Sequence, residues 1–280
     1  MTIIKEIKQL QETLSKVRQQ NQSIGFVPTM GALHRGHIRL VEKAVADNDC
    51  AVVSIFVNPI QFNNPDDLKK YPRNLDKDVE KLEAAGCDYV FVPSVEEMYP
   101  DKETKVYDFG DLDKVMEGKF RPGHFNGVGV VVDKLFDIVK PDRAYFGKKD
   151  YQQLAIVKRM VEIENHDLEI IPCETVREED GLAMSSRNLR LNEIQRREAT
   201  TIYKSLVFAL ENYKNYSPDE LTEKVFTLID ENPEIRVEYV EIVDSVGLQK
   251  INSWDDANHA VICVAAYMGE VRLIDNMELF

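Results

Sequence analysis

Residues 23–37 read SIGFVPTMGALHRGH, and three signals follow one another in them. The apolar run over residues 23–29 predicts a strand, Gly31 and Gly36 predict a loop, and a helical pattern follows over residues 38–46. In a parallel α/β fold, the loop after a strand lies at the ligand-binding end of the sheet, and the next helix directs its free N–H groups and positive dipole end there. The stretch therefore predicts a site for a phosphate group.

Strand-like and helix-like segments alternate on both sides of this stretch. Further strands are predicted at residues 51–57, 88–92, 143–146 and 168–172, and helices at 1–11, 75–85, 128–139 and 151–163. The valines of 128–139 leave a strand open as an alternative there. A proline-containing loop is predicted from residue 58 to 72 and a glycine-containing loop from 118 to 127. The alternation predicts an α/β domain over residues 1–175, with a Rossmann-like parallel sheet and helices on both faces.

The pattern changes near residue 175. A charged turn at 177–181 is followed by two amphipathic helices, at 193–213 and 218–230. Three strands without intervening helices are predicted at 236–243, 260–266 and 271–274. Residues 176–280 are therefore predicted to form a smaller α+β domain.

The composition restricts the partners of the chain. With 35 Lys and Arg against 49 Asp and Glu, the net charge is −14, which disfavours nucleic acid and membrane surfaces. No apolar run reaches the ~20 residues of a membrane span. The four cysteines are widely spaced, which indicates reduced thiols in a cytoplasmic protein. An anionic substrate would then need a basic pocket set into an acidic body.

The histidines of the first loop are candidates for phosphate chemistry. His34 and His37 can donate hydrogen bonds to phosphate oxygens, or protonate one as charge builds. A turn with two exposed histidines, or half of a metal site, is the alternative interpretation.

Two more segments combine cations with small polar residues. GKKDYQQ, residues 147–153, sets Lys149 and Gln153 four residues apart with Asp150 beside them, although Asp150 could be an ordinary helix N-cap. MSSRN, residues 184–188, is a possible anion site or a serine cap on a surface helix. Gln61 in NPIQF and Arg121 in RPGHFNG are further polar candidates in loops.

These motifs together carry a family resemblance. MGALHRGH resembles the HIGH-type signature shared by class I aminoacyl-tRNA synthetases and nucleotidylyltransferases, and MSSR resembles their KMSKS-like loop. With FVPTM, NPIQF, YPRN, RPGHFNGV and KPDRAYFGKKDYQQ, the set is similar to the pantothenate synthetase (pantoate–β-alanine ligase) family over residues 24–191.

The resemblance implies an activity and a set of site residues. The activity is ATP-dependent condensation of (R)-pantoate with β-alanine through a pantoyl-adenylate, releasing AMP and pyrophosphate. The implied catalytic residues are His37, His34, Lys149 and Arg187, with His37 as proton donor. The implied ATP-binding residues are Met30, Gly31, Ala32, Leu33, His34, Arg35, Gly36, His37, Gly147, Lys148, Lys149, Asp150, Val176, Met184, Ser185, Ser186 and Arg187. Gln61, Gln153 and Arg121 are implied for pantoate and Gln61 also for β-alanine. Mg²⁺ held mainly by phosphates, and a homodimer, are implied as well.

Two other functions stay open at this level. A nucleotidylyltransferase shares the HIGH-type loop but moves AMP to a phosphate or nucleotide acceptor, and Gln61 and Gln153 suit a neutral hydroxyl-bearing substrate better. A non-catalytic nucleotide-sensing module would bind ATP without pyrophosphate exchange. A tRNA synthetase is disfavoured because the chain is short and acidic and leaves no room for an anticodon-reading domain.

Overall fold

The first half of the chain forms a six-stranded parallel sheet. The computed structural model describes residues 1–63 and 65–280. The strands are β1 Thr2–Ile4, β2 Ile24–Thr29, β3 Cys50–Ile55, β4 Tyr89–Phe91, β5 Arg143–Gly147 and β6 Glu169–Cys173. Their order is β1-β4-β3-β2-β5-β6, and every neighbouring pair is parallel. The predicted parallel sheet is confirmed.

Helices cover both faces of this sheet, so its central strands are buried on both sides. The helices of this half are α1 Ile7–Gln19, α2 Arg35–Asp47, α3 Pro65–Lys70, α4 Leu75–Ala84, α5 Val95–Met98, α6 Met116–Phe120, α7 His124–Val139 and α8 Tyr151–Glu164. In β2, Ile24 and Phe26 pack into a core with α1, α7 and α8, whereas Val27 packs into a second core with α2 and α4. The Rossmann-like α/β architecture is confirmed.

The strand order changes direction next to β2, and this determines where a ligand-binding crevice can lie. Chain order runs outward from β2 through β3 and β4 on one side, and through β5 and β6 on the other. Such a switch point leaves a crevice outside the carboxyl ends of the two central strands. The segments that follow β2 and β5 are residues 30–34 and 148–150. The topology therefore brings the MGALHRGH and GKKD motifs to one crevice.

The second half contains a three-stranded antiparallel sheet. Its strands are β7 Ile235–Asp244, β8 Ala260–Met268 and β9 Val271–Glu278, in that order, and its helices are α9 Glu193–Glu198, α10 Thr200–Asn212 and α11 Pro218–Asp230. One sheet face packs on α10 and α11, and the other packs Tyr239 and Cys263 with Met116 and Tyr151 of the first half. The smaller α+β unit is confirmed; the division into residues 1–175 and 176–280 stays a prediction.

The predicted helix over residues 1–11 is wrong at its start. Thr2–Ile4 is an edge strand paired in parallel with β4, and helix α1 begins only at Ile7. Ile4 is buried while its neighbour Ile3 is exposed, so the two side chains lie on opposite faces as successive residues of a strand do. The spacing of the apolar residues fitted a helix because the strand passes directly into one.

The glycine-containing loop predicted over 118–127 is mostly helix. Residues 118–120 end α6, and α7 begins at His124 after Gly123. Position 127 lies inside α7 and is a glycine because a Cβ there would be 2.7 Å from the Cα of Gln61. The glycine thus serves close packing of a helix against the Gln61 segment, and the predicted helix over 128–139 is confirmed.

Two other predicted segments are subdivided. The helix predicted over 193–213 breaks at Ala199 into α9 and α10, where the Thr200 hydroxyl donates to the carbonyl of Arg197 at 2.8 Å. The loop predicted over 58–72 contains a 3₁₀ turn, Pro59–Gln61, and helix α3. Asn64, within that loop, lies outside the described residues.

Two expectations from composition can be compared with the structure. Among the described residues, no helix has the length and apolar character needed to cross a membrane. All four cysteines are free. Burial raises the pKa of Cys50 and of Cys87 to about 12, so both thiols stay protonated at neutral pH and are poor nucleophiles.

Candidate active site

A buried carboxylate supports the loop between β2 and α2. Asp78 of α4 accepts the backbone N–H of Ala32 at 2.8 Å and that of Leu33 at 2.7 Å. Gly31 and Ala32 both have positive φ, +79° and +50°. A Cβ on Gly31 would lie 3.1 Å from a carboxylate oxygen of Asp78, so glycine lets that carboxylate approach. The loop therefore depends on Asp78, which no sequence motif indicated.

The two histidines of this loop use the same ring nitrogen for backbone contacts. His34 is the N-cap of α2, and its Nδ1 accepts the N–H of Gly36 at 3.1 Å. The Nδ1 of His37 accepts the N–H of His34 at 3.3 Å. A neutral imidazole with Nδ1 as acceptor carries its proton on Nε2. Each ring therefore retains an Nε2–H donor for a ligand.

Both imidazoles are neutral at pH 7 before any anion binds. Burial, with Lys149 as the next cause, lowers the pKa of His34 to about 4. Burial, with His34 and Lys149 as further causes, lowers the pKa of His37 well below its ordinary value. The ring centroids are only 4.0 Å apart, so two charged rings would repel each other strongly.

The loop after β5 is fixed from the second sheet. Asn276 of β9 donates its side-chain amide to the carbonyls of Lys148, at 2.9 Å, and Lys149, at 2.8 Å. The Lys149 side chain is only 18% exposed, and its Nζ lies 4.0 Å from Asp150. Asp150 occupies the N-cap position of α8, but its side chain makes no capping hydrogen bond. The N-cap interpretation of Asp150 is therefore not supported.

The MSSRN segment contacts the first loop directly. Ser185 caps a 3₁₀ turn by accepting the N–H of Arg187 at 3.2 Å. The hydroxyl of Ser186 donates to the carbonyl of Ala32 at 3.0 Å. Two motifs about 150 residues apart in sequence thus share a hydrogen bond.

One cavity of about 220 Å³ lies between these segments. The predicted site residues that line it are Met30, His34, Gly36, His37, Gln61, Gly147, Lys149, Asp150, Gln153, Val176, Met184, Ser185, Ser186 and Arg187. Its opposite wall is apolar and comes from Phe56 and the α7 residues Val128, Val131, Val132 and Leu135. The cavity therefore has a cationic, hydrogen-bonding side and an apolar side.

Some predicted ligands lie outside this cavity. Gly31, Ala32 and Leu33 shape the loop without lining the cavity. Arg35 is 53% exposed and pairs with Glu42 at 2.8 Å. Lys148 pairs with Glu174 and Glu278. For Arg35 and Lys148, side-chain contact with a ligand in the cavity is not supported, because both side chains are engaged elsewhere.

Gln61 is buried and positioned by its neighbours. Its Oε1 accepts from the Asn58 amide at 3.2 Å, and its Nε2 contacts the Met30 sulfur at 3.2 Å. The side-chain oxygen of Asn58, Oδ1, in turn accepts a hydrogen bond from the Tyr99 hydroxyl at 3.0 Å. The Gln61 backbone carbonyl accepts from His124 at 2.8 Å. Asn58 and His124 belong to quoted motifs, but nothing in the sequence indicated that they hold Gln61.

A second chamber of about 390 Å³ adjoins the first and shares Lys149, Asp150, Ser185 and Arg187 with it. Arg121, predicted for pantoate, lines this chamber and a smaller one beside it. It does not line the cavity that holds both Gln61 and Gln153. The predicted grouping of these three residues is therefore not found.

A metal site is not apparent beside the cavities. Within residues 1–63 and 65–280, one group offers three metal-ligating atoms close together: Asp133, Asp137 and His166. Lys105 Nζ lies 2.8 Å from Asp133, and its charge opposes a cation there. The group also lines neither chamber.

Comparison with known proteins identifies the family of the chain. The family model described as pantoate-beta-alanine ligase matches residues 2–278. Pantothenate synthetases from Phocaeicola vulgatus and Bacteroides thetaiotaomicron are 53% and 51% identical to the chain, each over 99% of both sequences. The crystal structure of pantothenate synthetase from Thermus thermophilus matches with a TM-score of 0.94 at 42% identity over 100% of both chains. That of the Francisella tularensis pantoate-beta-alanine ligase, complexed with beta-gamma ATP and beta-alanine, matches with a TM-score of 0.82 at 40% identity over 99% of this chain and 97% of that one. The chain belongs to the pantoate–β-alanine ligase family.

Proposed function

We propose that the chain condenses (R)-pantoate with β-alanine to give pantothenate, a step of coenzyme A biosynthesis, and converts ATP to AMP and pyrophosphate. The observation that carries the proposal is the single cavity in which His34, His37 and Lys149 meet Gln61 and Gln153. Phosphate-binding groups and neutral hydrogen-bonding groups then face one reaction volume. Family membership and the ligands named for the Francisella relative support the same reaction.

In the first half-reaction, a pantoate carboxylate oxygen attacks the α-phosphorus of ATP. The bond from that phosphorus to the oxygen bridging to the β-phosphate breaks, and pyrophosphate leaves with the bonding electrons. Lys149 and Arg187 would neutralise the triphosphate, and Ser185 and Ser186 would contribute hydroxyl groups beside it. Such chemistry depends mainly on positioning and on charge stabilisation.

The histidines would donate to phosphate oxygens. Their Nε2–H groups are the free donors, as the Nδ1 contacts require. An anionic triphosphate beside His37 would raise its pKa, which burial otherwise lowers. That rise would let His37 carry a proton toward the leaving pyrophosphate, which is the role that the family resemblance implies for it.

The rest of the cavity suits the other substrate groups. Gln61 and Gln153 would bind the pantoate hydroxyls, while its two methyl groups would pack on the apolar α7 wall. Asp150, the backbone at Gly147 and Val176, and Met184 would hold ribose and adenine. Gln61 would also border the incoming β-alanine.

In the second half-reaction, the β-alanine ammonium first loses a proton. The neutral amine attacks the acyl carbon, the carbon–oxygen bond to AMP breaks, and the nitrogen loses a second proton as the amide forms. AMP and pantothenate leave. Neither a serine nor a cysteine nucleophile is required, which fits the buried, protonated thiols of Cys50 and Cys87.

Three further features belong to the proposal. Mg²⁺ would enter with ATP, held mainly by phosphate oxygens, as is usual for this hard cation. The four free thiols support a reducing, cytoplasmic location. A homodimer is proposed from the family resemblance, and light scattering showing only a 32.2 kDa species at micromolar concentration would refute it.

The decisive experiment is exchange of labelled pyrophosphate into ATP without β-alanine. We expect exchange only when pantoate is present, and AMP release only after β-alanine is added. Exchange without pantoate, or AMP transfer to a phosphate acceptor, would favour a nucleotidylyltransferase instead. ATP binding without any exchange would favour a sensing module.

Two variants test the assigned roles within that assay. His37→Ala should lower exchange by ~10²–10³, the usual effect of losing one transition-state donor. Arg39→Ala, on the exposed side of α2, is the control and should exchange normally. Gln153→Ala should weaken pantoate binding far more than ATP binding; equal losses would make Gln153 a helix-supporting residue only.

A further inference from the structure

Arg121, at the end of α6, has an incompletely satisfied guanidinium. Its side chain is 26% exposed, and one carboxylate, that of Glu117, lies 3.5 Å away. Within the described part of the chain, this long contact through one guanidinium nitrogen is the charged contact that Arg121 makes, although the group carries five N–H donors. Burial lowers the pKa of Arg121. The Glu117 carboxylate raises this pKa, and the charges of Arg187 and Arg272 lower it further. The guanidinium therefore has N–H donors left for a further anion.

Glu117 is not free to supply that anion, because its carboxylate is shared. It accepts two hydrogen bonds from Arg272 of β9, at 2.7 and 2.6 Å, and one from the Tyr239 hydroxyl at 2.9 Å. Glu117 is itself buried. Glu117 therefore pairs closely with Arg272 and only at 3.5 Å with Arg121.

The position of Arg121 relates it to both ends of the reaction volume. It lines the second chamber together with Lys149 and Arg187, which also line the first cavity. It lines the smaller chamber together with Gln153. A molecule held by Arg121 can thus border both the phosphate side and the acyl side of the proposed site, from outside the first cavity.

We propose that Arg121 binds the carboxylate of β-alanine. The proposal rests on the proposed function and deepens it by giving the amine substrate a site of its own. The amine of β-alanine must reach the acyl carbon, while its carboxylate, two methylene groups away, remains anionic and needs a cation outside the first cavity. A guanidinium is planar and presents paired donors that match the two oxygens of a carboxylate.

Two other anions fit less well. The pantoate carboxylate reacts with ATP inside the first cavity, which Arg121 does not line. Pyrophosphate, under the proposed function, would already have Lys149, Arg187 and the two histidines of the first cavity beside it. The chamber therefore favours β-alanine over the pantoate role predicted for Arg121 from the sequence.

The test separates the two half-reactions in Arg121→Ala, Arg121→Lys and the control Arg159→Ala. Arg159 is an exposed arginine of α8 paired with Glu162, so its removal changes the net charge equally. Losing a charge-assisted hydrogen bond should raise the KM for β-alanine by about 10- to 100-fold in Arg121→Ala. Pantoate-dependent pyrophosphate exchange should stay within about threefold of the control, because β-alanine takes no part in it. The KM of Arg121→Lys for β-alanine should lie between those of the wild type and Arg121→Ala, since lysine keeps the charge but lacks the paired donors of the guanidinium.

A second acceptor shows whether the carboxylate is what Arg121 binds. Propylamine replaces that carboxylate by a methyl group, so its use should be the same in wild type and Arg121→Ala. The preference for β-alanine over propylamine should fall by the same factor as the KM rises. An unchanged preference, or a loss of pyrophosphate exchange as large as the β-alanine effect, would overturn the proposal, and Arg121→Lys decides if the alanine variant does not fold. A wild-type protein with no pantoate-dependent exchange would instead refute the proposed function itself.

Discussion

Replacing Asp78 by asparagine should weaken ATP binding by destabilising the loop between β2 and α2. The carboxylate of Asp78 accepts one N–H on each of its two oxygens, from Ala32 and Leu33. An amide has only one oxygen, so one of these buried N–H groups loses its acceptor, at about 1–3 kcal/mol. The remaining bond loses the charge assistance that roughly doubles its strength. Together the loss is about 2–3 kcal/mol, applied at the loop that carries both histidines.

This loss should appear in nucleotide binding. If the loop has to be ordered for ATP to bind, 2–3 kcal/mol corresponds to roughly a 30- to 150-fold higher Kd for ATP. Calorimetric titration with ATP measures that Kd, and hydrogen exchange of the Ala32 and Leu33 amides shows whether the loop has opened. Asp76→Asn is the matched control, because Asp76 is an exposed aspartate in the same turn of α4.

Kd values for ATP within about twofold of each other in Asp78→Asn and Asp76→Asn would contradict this expectation. Retained protection of the Ala32 and Leu33 amides would be equally contrary. Either result would mean that the loop holds its shape without the buried carboxylate.

Three further predictions concern other parts of the site. Asn276→Ala removes the donor to the carbonyl of Lys149 and should raise the KM for ATP about tenfold with little effect on the KM for pantoate; equal effects in steady-state kinetics would contradict this. Lys149→Ala and Arg187→Ala should each slow pyrophosphate exchange, and the double variant should lose less than the product of the two losses, because both residues meet one ligand; multiplicative losses would refute that shared ligand. Without ligand, stability should fall as pH drops from 6.5 toward 4, because the unfolded imidazoles of His34 and His124 bind protons there while the folded ones, with pKa values of about 4, do not. The difference between the folded and unfolded pKa values is worth about 3 kcal/mol for each ring, and thermal unfolding of His124→Gln across that range should show a smaller slope.

The parts of the structure that follow from local pattern could be predicted from the sequence. Alternation of strands and helices determines a parallel sheet, and in such a sheet the loops after strands meet at one edge. That is why the MGALHRGH and GKKD loops could be expected at one edge, whereas the roles of His37, Lys149 and Gln153 in one site came from the family resemblance. The apolar wall from α7 was less certain, since a run of valines is compatible with either a strand or a buried helix.

What could not be predicted depends on contacts that leave no local trace. Asp78 looks like an ordinary acidic residue in the first turn of a helix, and Asn276 like a polar residue in a strand. Their roles come from the backbone groups that tertiary packing brings to them. Arg121 was assigned to pantoate with Gln61 and Gln153 through the family resemblance, whereas it lines a different chamber from the cavity that holds both glutamines. The division of the interior into adjoining chambers exists only in three dimensions.

The amide of Asn276 also has a consequence for synthesis on the ribosome. Asn276 follows Lys149 by 127 residues. At 5–20 residues per second, translation takes roughly 6–25 s to cover that distance. During this interval the nascent chain already contains both histidines and the central strands, yet the lysine loop lacks the donor that fixes it. If Lys149 binds ATP as proposed, the complete ATP site can form only after β9 has been synthesised and has paired with β8.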